Sequence, residues 1–171
     1  MNFILNDTYG INGIDIIDLR EVIEVFGNPD RREIIREDES RNFTVNYEYK
    51  DIDLKIFYNA YYFVDNDEIE FQTLSFIVEK LYLTETMFIE SGEEMGNVLD
   101  KIKDYHKKVN KVFEYEHKED IYSGSYDFIN LDITVYFDIT DSTRYMEDVY
   151  VSLPYEDDPE VPDFEDILYM E

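Results

Sequence analysis

The stretch YEYKDIDLKIFYN, residues 47–59, returns as YDFINLDITVYFD at residues 126–138, in step and without a gap. A chain that writes one apolar pattern twice, 79 residues apart, is held to an architecture with a use for the same element twice. In the first copy Ile52, Leu54, Ile56 and Tyr58 alternate with Asp53, Lys55, Phe57 and Asn59, and this period of two predicts a strand with one buried face. In the second copy Leu131, Ile133, Val135 and Phe137 alternate with Asp132, Thr134, Tyr136 and Asp138. Both faces keep their character under the shift.

A second element obeys the same shift. Ile16, Leu19, Ile23 and Phe26 stand at helical spacing and stop at Gly27 and Pro29, a helix C-terminal signal. They correspond to Met95, Val98, Ile102 and Tyr105, a second helical stripe preceded by Ser91 and Glu94 in capping-box spacing. First strands are expected around Ile34–Ile35 and Val112–Tyr115. The segments FQTLSFIVEKLYL and DVYVSLPY close the two halves, after turns in YNAYYFVDNDE and FDITDSTRYMED. Their best match needs a shift of about 77, which implies a connection two residues shorter in the second half.

The expected fold is therefore α+β: two tandem modules, each a helix plus an antiparallel sheet, forming one extended open sheet face. The first repeat covers residues 1–84 and the second residues 85–155; an acidic C-terminal tail covers residues 156–171. In that tail Phe164, Ile167, Leu168 and Tyr169 suggest docking of the last residues. A sheet with a helix on one side leaves its other face to water or to a partner. Strand alternation puts Asp53, Phe57, Asp132 and Tyr136 on that face, near Thr73 and Tyr150 of the closing strands.

Charge narrows the partner. Against 42 Asp plus Glu stand 15 Lys plus Arg, a formal net charge of -27, which repels nucleic-acid phosphates and anionic membranes and attracts basic proteins. Direct nucleic-acid binding is thus disfavoured. With 44 % hydrophobic and 16 % aromatic residues the chain departs from the composition of disordered acidic segments. There is no cysteine, which excludes disulfides, thiolate catalysis and thiolate metal sites. At the N-terminus Phe3 to Leu5 is a short apolar run before Asn6 and Asp7, unlike a secretory leader, and no run approaches a membrane span. The expectation is a soluble, cytoplasmic protein.

Catalytic chemistry has little to stand on. His106 lies in the basic run KIKDYHKK and His117 in EYEHKED, neither beside a serine pattern that suggests an activated nucleophile. The DNDE at residues 65–68 lacks the glycine and terminal glutamate of a calcium loop. No phosphate-binding glycine loop, dinucleotide fingerprint or zinc spacing occurs. Neither an enzyme nor a cofactor is expected. Lys101, Lys103, Lys107, Lys108 and Lys111 crowd the second helix, whose basic side is expected to point away from the sheet.

The first helix region, GINGIDIIDLREVIEVFGNPD, followed by a strand trio and then a second copy, resembles the tandem modules of the β-lactamase inhibitor protein family and of the outer-membrane assembly lipoprotein BamE. The resemblance implies two helix-plus-sheet repeats whose concave, aromatic and aspartate-rich sheet surface grips a target enzyme. Those inhibitors are exported and carry disulfides; this cysteine-free, acidic chain is closer in character to bacterial immunity proteins that neutralise toxins.

The functional expectation is an intracellular inhibitor, an immunity protein that occludes a basic toxin such as a nuclease. Its expected contact residues are Asp53, Phe57, Tyr61, Tyr62, Asp65, Asp67, Asp132, Tyr136, Tyr145 and Tyr150, the carboxylates for steering and pairing, the aromatics for burial. Two alternatives stay open: a nucleic-acid mimic that antagonises a DNA-processing complex, and an envelope assembly or small-ligand module. The oligomeric state is not fixed by the sequence.

Overall fold

Strand-forming alternation is carried through to the tertiary level in a computed structural model, which describes residues 2–5, 19–36, 42–63 and 68–153. In chain order the elements are α1 (Leu19–Phe26), β1 (Arg31–Arg36), β2 (Asn42–Tyr49), β3 (Leu54–Phe63), β4 (Glu68–Val78), β5 (Lys80–Tyr82), β6 (Phe88–Glu90), α2 (Met95–Lys108), β7 (Glu116–Glu119), β8 (Ser123–Phe128), β9 (Ile133–Thr140) and β10 (Thr143–Leu153). The molecule is α+β, mostly antiparallel sheet.

Eight strands form one sheet in the order β1-β2-β3-β4-β10-β9-β8-β7, with every neighbouring pair antiparallel. Two four-stranded meanders thus meet edge to edge where β4 runs beside β10, Val78 opposite Val149 and Phe76 opposite Val151. On one face Val45, Tyr47, Tyr49, Leu54, Ile56, Phe76, Val78, Phe128, Ile133, Val135, Phe137 and Val151 are buried. They share a single core with Val98 and Ile102 of α2. Each such side chain removed from water contributes about 1.5–3 kcal/mol before ordering entropy is subtracted.

Local chemistry explains the helix ends. Gly27, at φ 78°, takes the left-handed position after α1, and its N–H donates to the Ile23 carbonyl at 2.8 Å. Phe26 wedges its ring between Phe3 and Tyr49, with centroids 6.1 and 5.8 Å away. Ile16, the fourth member of the expected stripe, lies outside the described residues. On α2 the buried side chains are Met95, Val98, Ile102, Tyr105 and His106, while Lys103, Lys107 and Lys108 are exposed at or near the negative end of its dipole.

Several expectations need correction. The capping box does not form: the N-cap of α2 is Glu94, with no side-chain cap, and the Ser91 N–H that the Glu94 side chain would have taken donates instead to the Glu79 carbonyl at 2.7 Å. The first strand of the second half is Glu116–Glu119 rather than Val112–Tyr115. The expected closing segment FQTLSFIVEKLYL divides at Glu79, and β5 leaves the main sheet to pair with β6, burying Leu81 and Ile89 in the common core. Residues 3–5 run beside β5, with Leu5 N–H to Tyr82 O and Tyr82 N–H to Phe3 O both 2.8 Å.

The shift of the closing strands also differs. Leu54 pairs with Val78, whereas Ile133, 79 residues after Leu54, pairs with Val151, only 73 residues after Val78. The second hairpin is shorter because Asp141 and Ser142, at φ 51° and 66°, make a tight two-residue turn of the kind that matches strand twist.

Candidate functional site

Residues that alternate with the core side chains line the opposite face. From β3 come Lys55 and Phe57, from β4 Ser75 and Ile77, from β10 Tyr150, and from β9 Thr134, Tyr136 and Asp138. Register places Lys55, Ile77, Tyr150, Thr134 and Asp127 of β8 in one row across the sheet. Among the described residues no helix packs on this side.

The chemistry of the face is concentrated by a bulge. Met146 pairs with Phe137 and Val149 with Val135, so Glu147 and Asp148 together oppose Tyr136. An extra residue in a strand re-aims side chains and deepens twist; here it sets two carboxylates beside a tyrosine pair. The rings of Tyr136 and Tyr150 lie 4.6 Å apart at 55°. Burial, then Asp138 and Asp148, push the Glu147 carboxyl above its ordinary range, with Lys55 opposing. Burial does the same to Asp148, again opposed by Lys55. The Tyr150 phenol is raised by burial and then by Tyr136, Asp148 and Glu147. All three shifts point the same way, chiefly because burial disfavours the charged forms, with neighbouring carboxylates adding to it at Glu147 and Tyr150.

At the end of this face where β3 begins, a surface groove of about 210 Å³ is bordered by Glu48, Asp53, Lys55, Ile77, Glu79 and Asp148. A second groove, about 360 Å³, lies on the other side of Asp53 and includes Asp51, Glu79, Tyr82 and Glu90.

The expected contact residues are only partly brought together. Tyr136 and Tyr150 touch; Tyr145 pairs in register with Asp138, and Phe57 lies on the same face between Asn46 and Ser75. Tyr61 and Tyr62 stand in β3, paired with Glu70 and Ile69 of β4. Asp65 and Asp67 lie outside the described residues, as does the tail at 156–171. Asp53 and Asp132 are not strand residues facing outward: each sits just before its strand in a left-handed turn conformation, φ 50° and 53°. Aspartate is among the few side chains that visit this conformation routinely. The two are not side by side: Leu54, next to Asp53, lies in the row of Val78, Val149 and Val135, whereas Ile133, next to Asp132, lies two residues along in the row of Ile56, Phe76 and Val151. Asp53 rims the groove; Asp132 is half-buried, its carboxyl raised by burial despite Lys111.

Lys55, Ile77, Glu147 and Asp148 were not singled out from sequence. One signal for the bulge was present: in TRYMEDVYVSL the apolar spacing Met146–Val149–Val151 breaks its period by one residue.

The histidines are structural. His106 is fully buried; its Nδ1 is 2.8 Å from the Ile102 carbonyl, which assigns the donor proton to that nitrogen, and its ring meets Phe113 edge-on at 5.2 Å. His117 stacks on Tyr126 at 4.5 Å and 7°, with Nε2 3.1 Å from Glu119. Among the described residues no group of three or more His, Asp or Glu is arranged to hold a metal ion, and no helix is long and apolar enough to cross a membrane. No family model, curated protein or solved structure matches the chain.

Proposed function

We propose that the chain is a binding protein that inhibits rather than catalyses, and that its open sheet face docks a basic protein, as an immunity protein occludes a toxin inside the cell. The observation that carries this reading is the Tyr136–Tyr150 pair set against Glu147, Asp148 and Asp138 on the face away from the core. Tyrosines supply contact area at low entropic cost, and clustered carboxylates steer and pair with cations. A compact aromatic patch ringed by acid favours this over nucleic-acid mimicry, which calls for carboxylates spaced like phosphates along an edge. A nuclease suits the charge, since its substrate-binding surface is cationic.

We read the two halves as a doubled module. Tyr47, Tyr49, Leu54 and Ile56 are buried, and so are their counterparts 79 residues on, Tyr126, Phe128, Ile133 and Val135; the left-handed Asp53 and Asp132 keep the same spacing. The absence of cysteine suits a reducing compartment.

The test is to mix the purified chain with any basic secreted effector encoded beside it, at low salt, and to measure co-elution and effector activity. A tight complex with loss of activity is expected, and its weakening by Tyr136→Ala plus Tyr150→Ala. If no adjacent effector associates, the reading is wrong.

A further inference from the structure

The two edges of the eight-stranded sheet carry opposite charge patterns. Among the described residues β1 pairs only with β2 and β7 only with β8, and both present outward main-chain groups. Edge strands are commonly blunted by charge, because an open ladder is a template for another strand. Here β1 reads RREIIR and holds three of the chain's 15 cations, whereas β7 reads EHKE and runs into Asp120.

Direction makes the pattern matter. Seven antiparallel steps separate β1 from β7, so the two edges run in opposite senses. A second copy placed beside the first in the same orientation lays its β1 antiparallel to β7, with both open faces on one side. Outward on the open face are Arg31, Glu33 and Ile35 in β1, by their pairing with Glu48, Asn46 and Thr44. In β7 they are Glu116 and Lys118, by their pairing with Asp127 and Ser125. Keeping faces matched permits only alternate registers. The one that sets Glu33 opposite Lys118 also sets Arg31 opposite Asp120 and Arg32 opposite Glu119. Sliding by two residues either way opposes Arg31 to Lys118, or Glu33 to Asp120.

We propose that β1 of one copy adds to β7 of another, in this register, so that the sheet continues from molecule to molecule. Apolar side chains are also exposed at both edges. Ile35 is 45 % exposed on the β1 side, and Val112, Ile121 and Tyr122 are 71, 76 and 73 % exposed around β7. Such a head-to-tail contact uses two different edges of each copy, so it does not stop at a dimer and carries on into a ring or a filament. The net charge of -27 opposes it at low ionic strength, so association is strengthened by screening salt.

Sedimentation velocity on the full chain, over a range of protein concentrations at about 0.02 and 0.5 M salt, tests this. Concentration-dependent growth beyond dimer is expected at high salt. Glu33→Lys alone and Lys118→Glu alone each set like charges face to face and weaken association tenfold or more; the two together restore it. A monomer under every condition overturns the proposal. So does failure of the double swap to rescue. A dimer that ends at two and ignores Glu33→Lys overturns it in favour of β7 pairing with itself. The melting temperature of each exposed-site variant, expected within a few degrees of the parent, separates lost association from lost folding.

Discussion

Alternate residues of the same strands write the two faces of the sheet, and neighbours such as Tyr136 and Phe137 live under different rules. Phe137 is fully buried between Gly124 and Met146, whereas Tyr136 is 39 % exposed beside Tyr150. The core face is specified by volume, since every removed atom leaves space that neighbours do not fill. Charge and ring chemistry specify the open face, where removing an atom costs little unless a partner is bound. The fold is therefore robust to changes on the very face proposed to act.

The largest effect expected from this contrast is on stability. Phe137→Ala should cost about 3–5 kcal/mol in urea unfolding, and Tyr136→Ala, one residue away, less than about 1 kcal/mol. Equal losses would erase the distinction between the faces. Next comes affinity: with the basic effector in hand, Tyr136→Ala and Tyr150→Ala should each weaken binding by about 2 kcal/mol, roughly 30-fold, while Phe57→Ala, farther from the carboxylate pair, should matter less. Calorimetric titration checks the ranking, and a flat profile across the three would dissolve the patch.

Gly124 sharpens the core side of the comparison. A Cβ there would collide with the Phe137 ring and with the Lys118 carbonyl, and the carbonyl belongs to a paired strand. Gly124→Ala should destabilise by about 1–3 kcal/mol, and Phe137→Leu, by vacating part of the ring's space, should recover some of that loss in the double variant. Thermal melts of the four proteins measure the coupling; additivity would mean that the ring is not what excludes the methyl.

Periodicity made β3 and β9 legible because each offers several alternating apolar residues, and the α2 stripe was legible for the same reason; but each matching stretch reads as one strand, whereas Tyr47–Tyr49 end β2 and Tyr126–Phe128 end β8 before a turn leads into β3 and β9. It failed at β7, where Glu116 to Glu119 are all exposed and no burial leaves a trace. It failed also at β5 and β6, whose three residues are too few to show a period. Asp53 and Asp132 were misplaced because Ile52 and Leu131, although in turns, still pack on the core and so extend the alternation past the strand ends. On the functional side the tyrosines were legible and the carboxylates beside them were not. Glu147 and Asp148 owe their position to a bulge, and a bulge is one residue too many in a pattern that sequence averages over.

The pH dependence of stability separates the open face from the β7–β8 hairpin by sign. Glu147 and Asp148 have folded-state pKa values raised above the unfolded ones, mainly by burial. Between the unfolded value, near 4, and the raised one, the folded chain holds the extra protons. Their ionisation therefore subtracts stability as pH rises through that window, and acidification from neutrality restores it. Glu119 is lowered by its hydrogen bonds from Arg144, at 2.6 and 2.8 Å, and Asp120 by the backbone N–H groups of Tyr122 and Ser123. Their contribution is whole at neutral pH and is lost only as pH falls through those lowered values. Melting temperature should climb as pH falls from neutrality through the raised values of Glu147 and Asp148 and turn over as it falls through the lowered values of Glu119 and Asp120. Glu147→Gln with Asp148→Asn should raise the neutral end and flatten the climb, whereas Asp120→Asn should lower the neutral end. Screening salt will shrink the part of the climb that comes from the overall charge. A climb unchanged in the double variant would show that the general repulsion, and not the crowded carboxylates beside Tyr150, sets the acid preference of the fold.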